Sequence, residues 1–278
     1  MSTQQPFAGR TLLMSGGSRG IGLAIAVRAA RAGANVAFIA KTDAPDPRLP
    51  GTVHTAAAQI EAAGGQCLPI VGDIRDDSTV NRAVAATADR FGGIDIVVNN
   101  ASAIALTGIG ELPTKRYDLM QDINARGTFA LTSAALPYLL KSSAPRVLTL
   151  SPPLNLDRRW LAEHAPYTVS KYAMTMLTLG VAEQYRERGI AATCLWPRTL
   201  IATAAVRNVV AGDEGMRASR RPEIMADAAA VIFGLPAAEA NGQCYVDEEV
   251  LHASGATDLS RYLHSGATED SLETDLFL

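Results

Sequence analysis

The stretch Ser15-Gly16-Gly17-Ser18-Arg19-Gly20-Ile21-Gly22 constrains this chain more than any other. It follows an apolar, strand-like run, Thr11-Leu12-Leu13-Met14, and passes straight into the alanine-rich 23–30, whose apolar residues recur at helical spacing. Strand, glycine turn and helix in that order let backbone N–H groups approach an anion that a Cβ would block, and the helix presents its positive end to that anion. A pyrophosphate suits such a turn, with Gly16, Gly17, Ser18, Arg19, Gly20, Ile21 and Gly22 as its contacts. Glycine turns also arise by chance in a chain with 23 glycines, so the surrounding pattern has to decide.

That pattern alternates strand and helix. Residues 35–40 read as a second buried strand, and 42–52 hold Pro45, Pro47 and Pro50, a stiff loop that cannot pair within a sheet. Helices are predicted over 53–63, 76–91, 115–141 and 167–188, with Pro137 bending or ending the third and Pro166 opening the fourth. Further strands fall at 67–72, 95–101, 146–151, 190–196 and 243–247, and 198–240 is a mostly helical excursion. Continuous apolar strands separated by helices imply an α/β fold. The expectation is one domain over 1–278, a doubly wound, Rossmann-type parallel sheet of seven strands with helices on both faces. The charged tail, 264–278, reads as an oligomer arm or a mobile end.

Composition narrows the function classes. A formal charge of −3 offers no basic excess for a nucleic-acid partner. Cys67, Cys194 and Cys244 lie far apart in apolar runs and read as buried hydrophobes in a reducing compartment, and the histidines show no metal spacing. Neither a signal peptide nor an apolar run near the roughly 18 residues of a membrane span is visible, so no membrane span is expected and the cytoplasm is the expected location.

In a doubly wound sheet the ligand lies at the carboxyl ends of the strands. The position there that takes a carboxylate when a ribose 2′-hydroxyl is bound holds Lys41, and Arg19 lies in the glycine turn; both cations suit a 2′-phosphate. This favours NADP(H) over NAD(H), although Asp43 keeps NAD(H) open and both cations would also serve as solvated surface charges. Asp73 closes the third strand and either accepts from an adenine amino group or caps a helix. Asn99-Asn100-Ala101 ends the fourth beside the same crevice, leaving room for ribose or simply making a turn.

Tyr167-Thr168-Val169-Ser170-Lys171 puts a phenol and an ammonium on one helical face. A positive charge about 4 Å away is worth on the order of 4 kcal/mol at an effective dielectric near 20, enough to draw a phenol toward neutral pH.

Taken in order, Gly16-xxx-Gly20-Ile21-Gly22, Asp73, Asn99-Asn100-Ala101-Ser102, Asn124, Tyr167-xxx-Lys171 and Pro197 resemble the short-chain dehydrogenase/reductases along nearly the whole chain. Ala40-Lys41-Thr42, residues 150–156, Trp196-Pro197-Arg198-Thr199 and Tyr245-Val246-Asp247-Glu248 are similar to the hydroxysteroid dehydrogenase-like branch, some of whose bacterial relatives carry a citronellol/citronellal dehydrogenase label. The resemblance implies Tyr167 as proton donor or acceptor. It implies Lys171 on the nicotinamide ribose, lowering the phenol pKa, and Asn124 holding a water of the proton relay. The family's serine position, 154, is leucine here. Ser151 or the amide of Asn155 is left to replace it, and Ser151 equally well caps a strand end. Arg198 stands where glycine is usual, leaving Thr199, Leu200 and Thr203 as candidates for the nicotinamide carboxamide.

The apolar excursion implies a lipophilic carbonyl or alcohol as substrate, although helix packing would give the same composition. Arg217, Arg220 and Arg221 read as a solvated charge run. The resemblance also implies a homodimer or homotetramer through the helices at 115–141 and 166–188. An NAD(P)-binding sensor or scaffold without turnover is the rival to an oxidoreductase.

Overall fold

Runs such as Thr11-Leu12-Leu13-Met14-Ser15 show no polar alternation, so neither face of the strands they form meets water. The computed structural model describes residues 5–46 and 49–278; Pro47 of the predicted loop lies outside the described residues. β1 (Thr11–Ser15), β2 (Asn35–Ala40), β3 (Cys67–Val71), β4 (Ile96–Asn99), β5 (Arg146–Thr149), β6 (Ala191–Trp196) and β7 (Cys244–Val246) form one sheet in the order β3-β2-β1-β4-β5-β6-β7. Every neighbouring pair is parallel. This is the Rossmann-type architecture expected from the sequence. Strand order reverses between β1 and β4, and the crevice opens at their carboxyl ends.

Successive side chains on a strand point to opposite faces, so Leu12 and Met14 enter one core and Leu13 the other. The first core lies under α1 (Gly20–Arg31), α2 (Val53–Ala62), α8 (Glu223–Gly234) and α10 (Asp247–Ala253). The second lies under α3 (Asp77–Phe91), α5 (Gly127–Leu139) and α6 (Arg158–Gln184), with α4 (Thr114–Gln121) leading into α5. The excursion contains α7 (Gly212–Arg217), α8 (Glu223–Gly234) and α9 (Ala237–Ala240); α10 (Asp247–Ala253) follows β7.

Two helices differ from expectation in ways that matter for the site. The predicted helix over 115–141 is broken by a π turn at Asp122–Arg126, which carries Asn124, while Pro137 sits inside α5 without ending it. α6 starts earlier than predicted and kinks at His164 (φ −134, ψ 25), so Pro166 falls in the first turn beyond the kink, where its missing N–H is no loss.

The tail is neither an extended arm nor a loose end. Leu200 N donates to Glu273 O (2.9 Å), Asp275 N donates to Arg198 O (3.1 Å), and Thr274 bridges Thr199 in antiparallel sense. Trp196 Nε1 donates to Leu276 O (2.8 Å) and Asn155 Nδ2 to Phe277 O (2.9 Å). The Phe277 ring is fully buried among Trp160, Tyr167, Tyr172 and Trp196 at centroid distances of 5.5, 6.0, 5.4 and 5.9 Å. The charged, polar stretch preceding it had masked an apolar anchor.

Arg220 corrects a second expectation. It is buried, not solvated, and its guanidinium pairs with Glu248 and Glu269 (2.7 Å each) and donates to Leu259 O (3.1 Å). Arg220→Met should lower the free energy of unfolding by about 3 kcal/mol, read from urea titration, because it strands Glu248 without its partner; the half-exposed Glu269 adds little.

Candidate active site

β1 delivers the chain to Gly16, whose φ of +76 suits glycine, and a Cβ there would stand 2.7 Å from Asn100 Nδ2. At Gly22 a Cβ would stand 2.3 Å from Gly16 O, so the turn closes only because both side chains are missing. Asn100 Nδ2 donates to Gly16 O (2.8 Å) and Ser15 O (3.2 Å), pinning the turn to the end of β4. Arg19 caps α1 without a side-chain bond, and the first turn of α1 holds no acidic residue. The first N–H groups of the helix therefore keep their capacity for an anion, which is what a dinucleotide pyrophosphate requires.

The crevice above this turn is a cavity of about 530 Å³. Gly16, Ser18, Arg19, Gly20 and Ile21 line its pyrophosphate end, with Lys41, Asn100 and Ala101 beside them. Tyr167, Lys171 and Pro197 line the other end. Gly17 lies beneath the turn, where a Cβ would strike Phe38 at 2.7 Å, and Gly22 is likewise a packing glycine. Asp73 is not on the wall. Arg75 (2.7 Å) and Lys41 (3.0 Å) pair with its carboxylate, and Arg75 first, then Lys41, holds it well below the usual carboxylate range. Arg19 donates to Pro50 O (3.1 Å), Gly51 O (3.2 Å) and Thr42 Oγ1 (2.7 Å), tying these three residues to the glycine turn. Asp43 is paired with His54 (2.7 Å).

Tyr167 and Lys171 lie one turn apart on α6, both buried and both on the cavity wall. Lys171 Nζ donates to Leu150 O (2.6 Å) and stands 5.0 Å above the Trp196 ring, and burial pushes its pKa down to about 7. The phenol is driven up, not down as the family resemblance implied. Burial is the main cause and the nearby Asp275 carboxylate adds to it, while the Ser102 hydroxyl pulls the other way.

The proposed stand-ins for the missing serine are both occupied elsewhere or turned away. Ser151 is fully buried, its Oγ without a hydrogen-bond partner and next to the Cys194 thiol, off the cavity wall. The Asn155 amide is committed to Phe277 O and its Oδ1 to Asp157 N (3.0 Å). The hydroxyl on the cavity wall beside the phenol belongs to Ser102, in the residue after Asn99-Asn100-Ala101. Asn124 is fully buried in the π turn. Its Oδ1 accepts from Ala103 N (2.7 Å), and its Nδ2 donates to Ala103 O (3.0 Å) and Ser170 Oγ (2.9 Å). Both amide hydrogens are thus spent joining the β4 loop to α6.

Arg198 turns away from the cleft: its N–H donates to Asp247 Oδ1 (2.7 Å) and its guanidinium pairs with Glu249. Thr199 is off the wall as well, although its buried Oγ1 has no hydrogen-bond partner among the described residues. The functional segment missed in the sequence is 275–276, where Asp275 and Leu276 join the wall that Tyr167 and Lys171 share. An apolar Leu-Phe-Leu ending in an otherwise polar tail was the available signal.

With the geometry in hand, comparison with known proteins decides the family. The short chain dehydrogenase family matches residues 10–214. The chain belongs to that family. Within it, hydroxysteroid dehydrogenase-like protein 2 of Danio rerio is 51% identical over 255 residues, 92% of this chain and 61% of the relative. The chain spans about half to three fifths of the length of the curated relatives it matches. A solved short chain dehydrogenase of Mycobacterium thermoresistibile is 53% identical, with TM-score 0.91 and coverage of 98% of this chain and 95% of that one. More distant is a blue fluorescent protein from a metagenomic library, solved in complex with NADPH: 26% identity, TM-score 0.74, coverage 86% and 96%.

Two carboxyl groups are buried at this end of the fold, Asp275 on the cavity wall and Asp247 behind Arg198. Burial pushes Asp247 and Asp275 each up to about 7. Between an unfolded pKa near 4 and about 7 the folded chain holds protons that the unfolded chain has lost, so both groups reduce stability as pH rises through that window. Asp247→Asn should therefore gain stability relative to the parent protein between pH 4.5 and 7.5. Parallel urea midpoints check this, and a constant difference across the range would contradict it.

Proposed function

We propose that the protein is an NADP(H)-dependent reductase of lipophilic carbonyl compounds, interconverting them with their alcohols. The observation that carries this reading is the common wall on which the glycine turn, Tyr167 and Lys171 meet. When bound, the nicotinamide supplies the hydride. This chain supplies the proton: Tyr167, held protonated by burial and by Asp275, gives its phenolic hydrogen to the carbonyl oxygen. Ser102 donates to that same oxygen, in the role of the hydroxyl that position 154 lacks. Lys171 holds ribose hydroxyls, and the clasp made by Asn124 sets the distance between the Ser102 loop and α6. In this reading Asn124 serves the proton relay by fixing its framework.

Preference for the phosphorylated cofactor is supported by Lys41 and Arg19 on the cavity wall, by the engagement of Asp43 with His54, and by the related NADPH complex. Asp73 then neutralises Lys41 until a 2′-phosphate competes for it. Leu200, Ile201, Val206, Val209 and Val210 make the wall of the excursion apolar, which supports a lipophilic substrate. Phe129, Val169 and Met176 are exposed on α5 and α6, an apolar face suited to a second copy and hence to a homodimer or homotetramer. No helix among the described residues is long and apolar enough to cross a membrane, and a cytoplasmic site of action is part of this proposal.

Tyr167→Phe should lower kcat/KM for NADPH-dependent aldehyde reduction by about 10²–10⁴. Ser102→Ala should lower it by at least about tenfold and Ser151→Ala by less than threefold; the reverse order would assign the hydroxyl to Ser151. Lys41→Ala should weaken NADPH about 10- to 100-fold by calorimetry, the value of a lost charge-assisted contact, with NADH within threefold. NADPH binding without oxidation of cofactor by any aldehyde or ketone would favour the sensor or scaffold reading instead.

A further inference from the structure

Lys171 buries an ammonium group, which has three N–H donors, while its hydrogen bond among the described residues goes to one acceptor, Leu150 O. The indole of Trp196 covers one side. An ammonium so enclosed loses its proton unless an anion compensates it. The acid that faces it comes from the folded-back segment 273–278, whose position is fixed on both sides of Asp275. On one side Glu273–Asp275 pairs with 198–200, and on the other Phe277 is locked into the aromatic cluster. Phe277 keeps φ at +75, a left-handed conformation that a bulky residue holds only where its surroundings over-determine it. Asp275 N is bound to Arg198 O, and Leu276 N donates to Asp275 Oδ1 (2.6 Å), so the carboxyl group is held on the cavity wall with the phenol and the ammonium.

We propose that Asp275 is a positioning residue of the active site, the counter-charge that keeps Lys171 an ammonium and Tyr167 a phenol at neutral pH. The inference rests on the reductase reading above. The titratable groups around the carboxyl are Lys171 and Tyr167 from α6, Asp247 at the head of α10 and Glu273 in its own segment; Lys171 also faces the Cys194 thiol of β6. Burial brings both partners to about 7, the carboxyl from below and the ammonium from above, so each stabilises the charged form of the other. The carboxylate raises the proton affinity of the phenol as well. Both effects have one sign. Carbonyl reduction needs the proton on Tyr167 and the charge on Lys171, and without Asp275 both are lost at lower pH. Asp275 thereby couples the folding-back of the tail to the protonation state of the reacting pair.

The test is the pH profile of kcat/KM for NADPH-dependent reduction of decanal from pH 5 to 10, in the full chain and in Asp275→Asn and Asp275→Glu. The expected result is an alkaline limb displaced by about one unit to lower pH in the asparagine variant and restored in the glutamate variant. A merely structural role would change the height of the profile and the melting temperature but leave the limb where it is. Asp275→Ser gives the same comparison if the asparagine variant does not fold. The pH dependence of NADPH affinity, followed by fluorescence titration on the same proteins, gives a second reading that needs no turnover and should show the same displacement. Superimposed limbs for the full chain and Asp275→Asn, in protein whose turnover depends on Tyr167, would overturn the proposal and leave the reductase reading standing. Turnover that survives Tyr167→Phe would overturn the reductase reading, and this proposal with it.

Discussion

Lys171 carries a cation into the interior between Leu150 O at 2.6 Å and an indole face at 5.0 Å, and this end of the cleft is arranged around that burial. Leu150, the residue after β5, supplies the carbonyl oxygen, β6 ends in the indole, α6 carries the lysine, and the tail folds back along 198–200 to put Asp275 on the same wall. Desolvation of an ammonium costs several kcal/mol even after relaxation, so an arrangement of this kind persists only if its partners are held rigidly. The rigidity comes from packing: the ring of Phe277 is enclosed by Trp160, Tyr167, Tyr172 and Trp196, and the same cluster encloses the Tyr167 phenol.

The opposite end of the cleft is governed by sterics. Gly16 and Gly22 approach so closely that any side chain would collide with Gly16 O or Asn100, and that closeness aims the first N–H groups of α1 into the crevice. Asn100 then does two jobs, tying the turn to β4 and bordering the cleft. The two ends are joined by the clasp of Asn124, which spans from Ala103 at the β4 exit to Ser170 on α6. In this way an anion site built from missing side chains and a proton site built from buried charges share one wall.

The sheet and the glycine turn were legible in the sequence because both are local. Apolar runs at the right spacing predicted each strand to within two residues, and Tyr167 and Lys171 four apart fall on one face whatever the rest of the chain does. What was not legible depends on long-range pairing. Ser151 lies two residues beyond β5, buried beside the Cys194 thiol of β6, and Lys41 meets Asp73 only because β2 and β3 are neighbours. The tail was misread because its anchor is one ring at position 277, and no local pattern predicts a partner on Trp160 or Trp196. The π turn that carries Asn124 was likewise hidden inside a continuous helical pattern.

In the proposed reaction, hydride and proton meet on the wall shared by the cleft, Tyr167 and Lys171. Supplying NADPH dideuterated at nicotinamide C4 together with an aldehyde, and locating the label by mass spectrometry and NMR, tests this. The predicted result is one deuterium on the carbinol carbon for each cofactor consumed, with transfer in Tyr167→Phe slower by about 10²–10⁴. Cofactor consumed without label in the alcohol, or equal transfer in the phenylalanine variant, would contradict it.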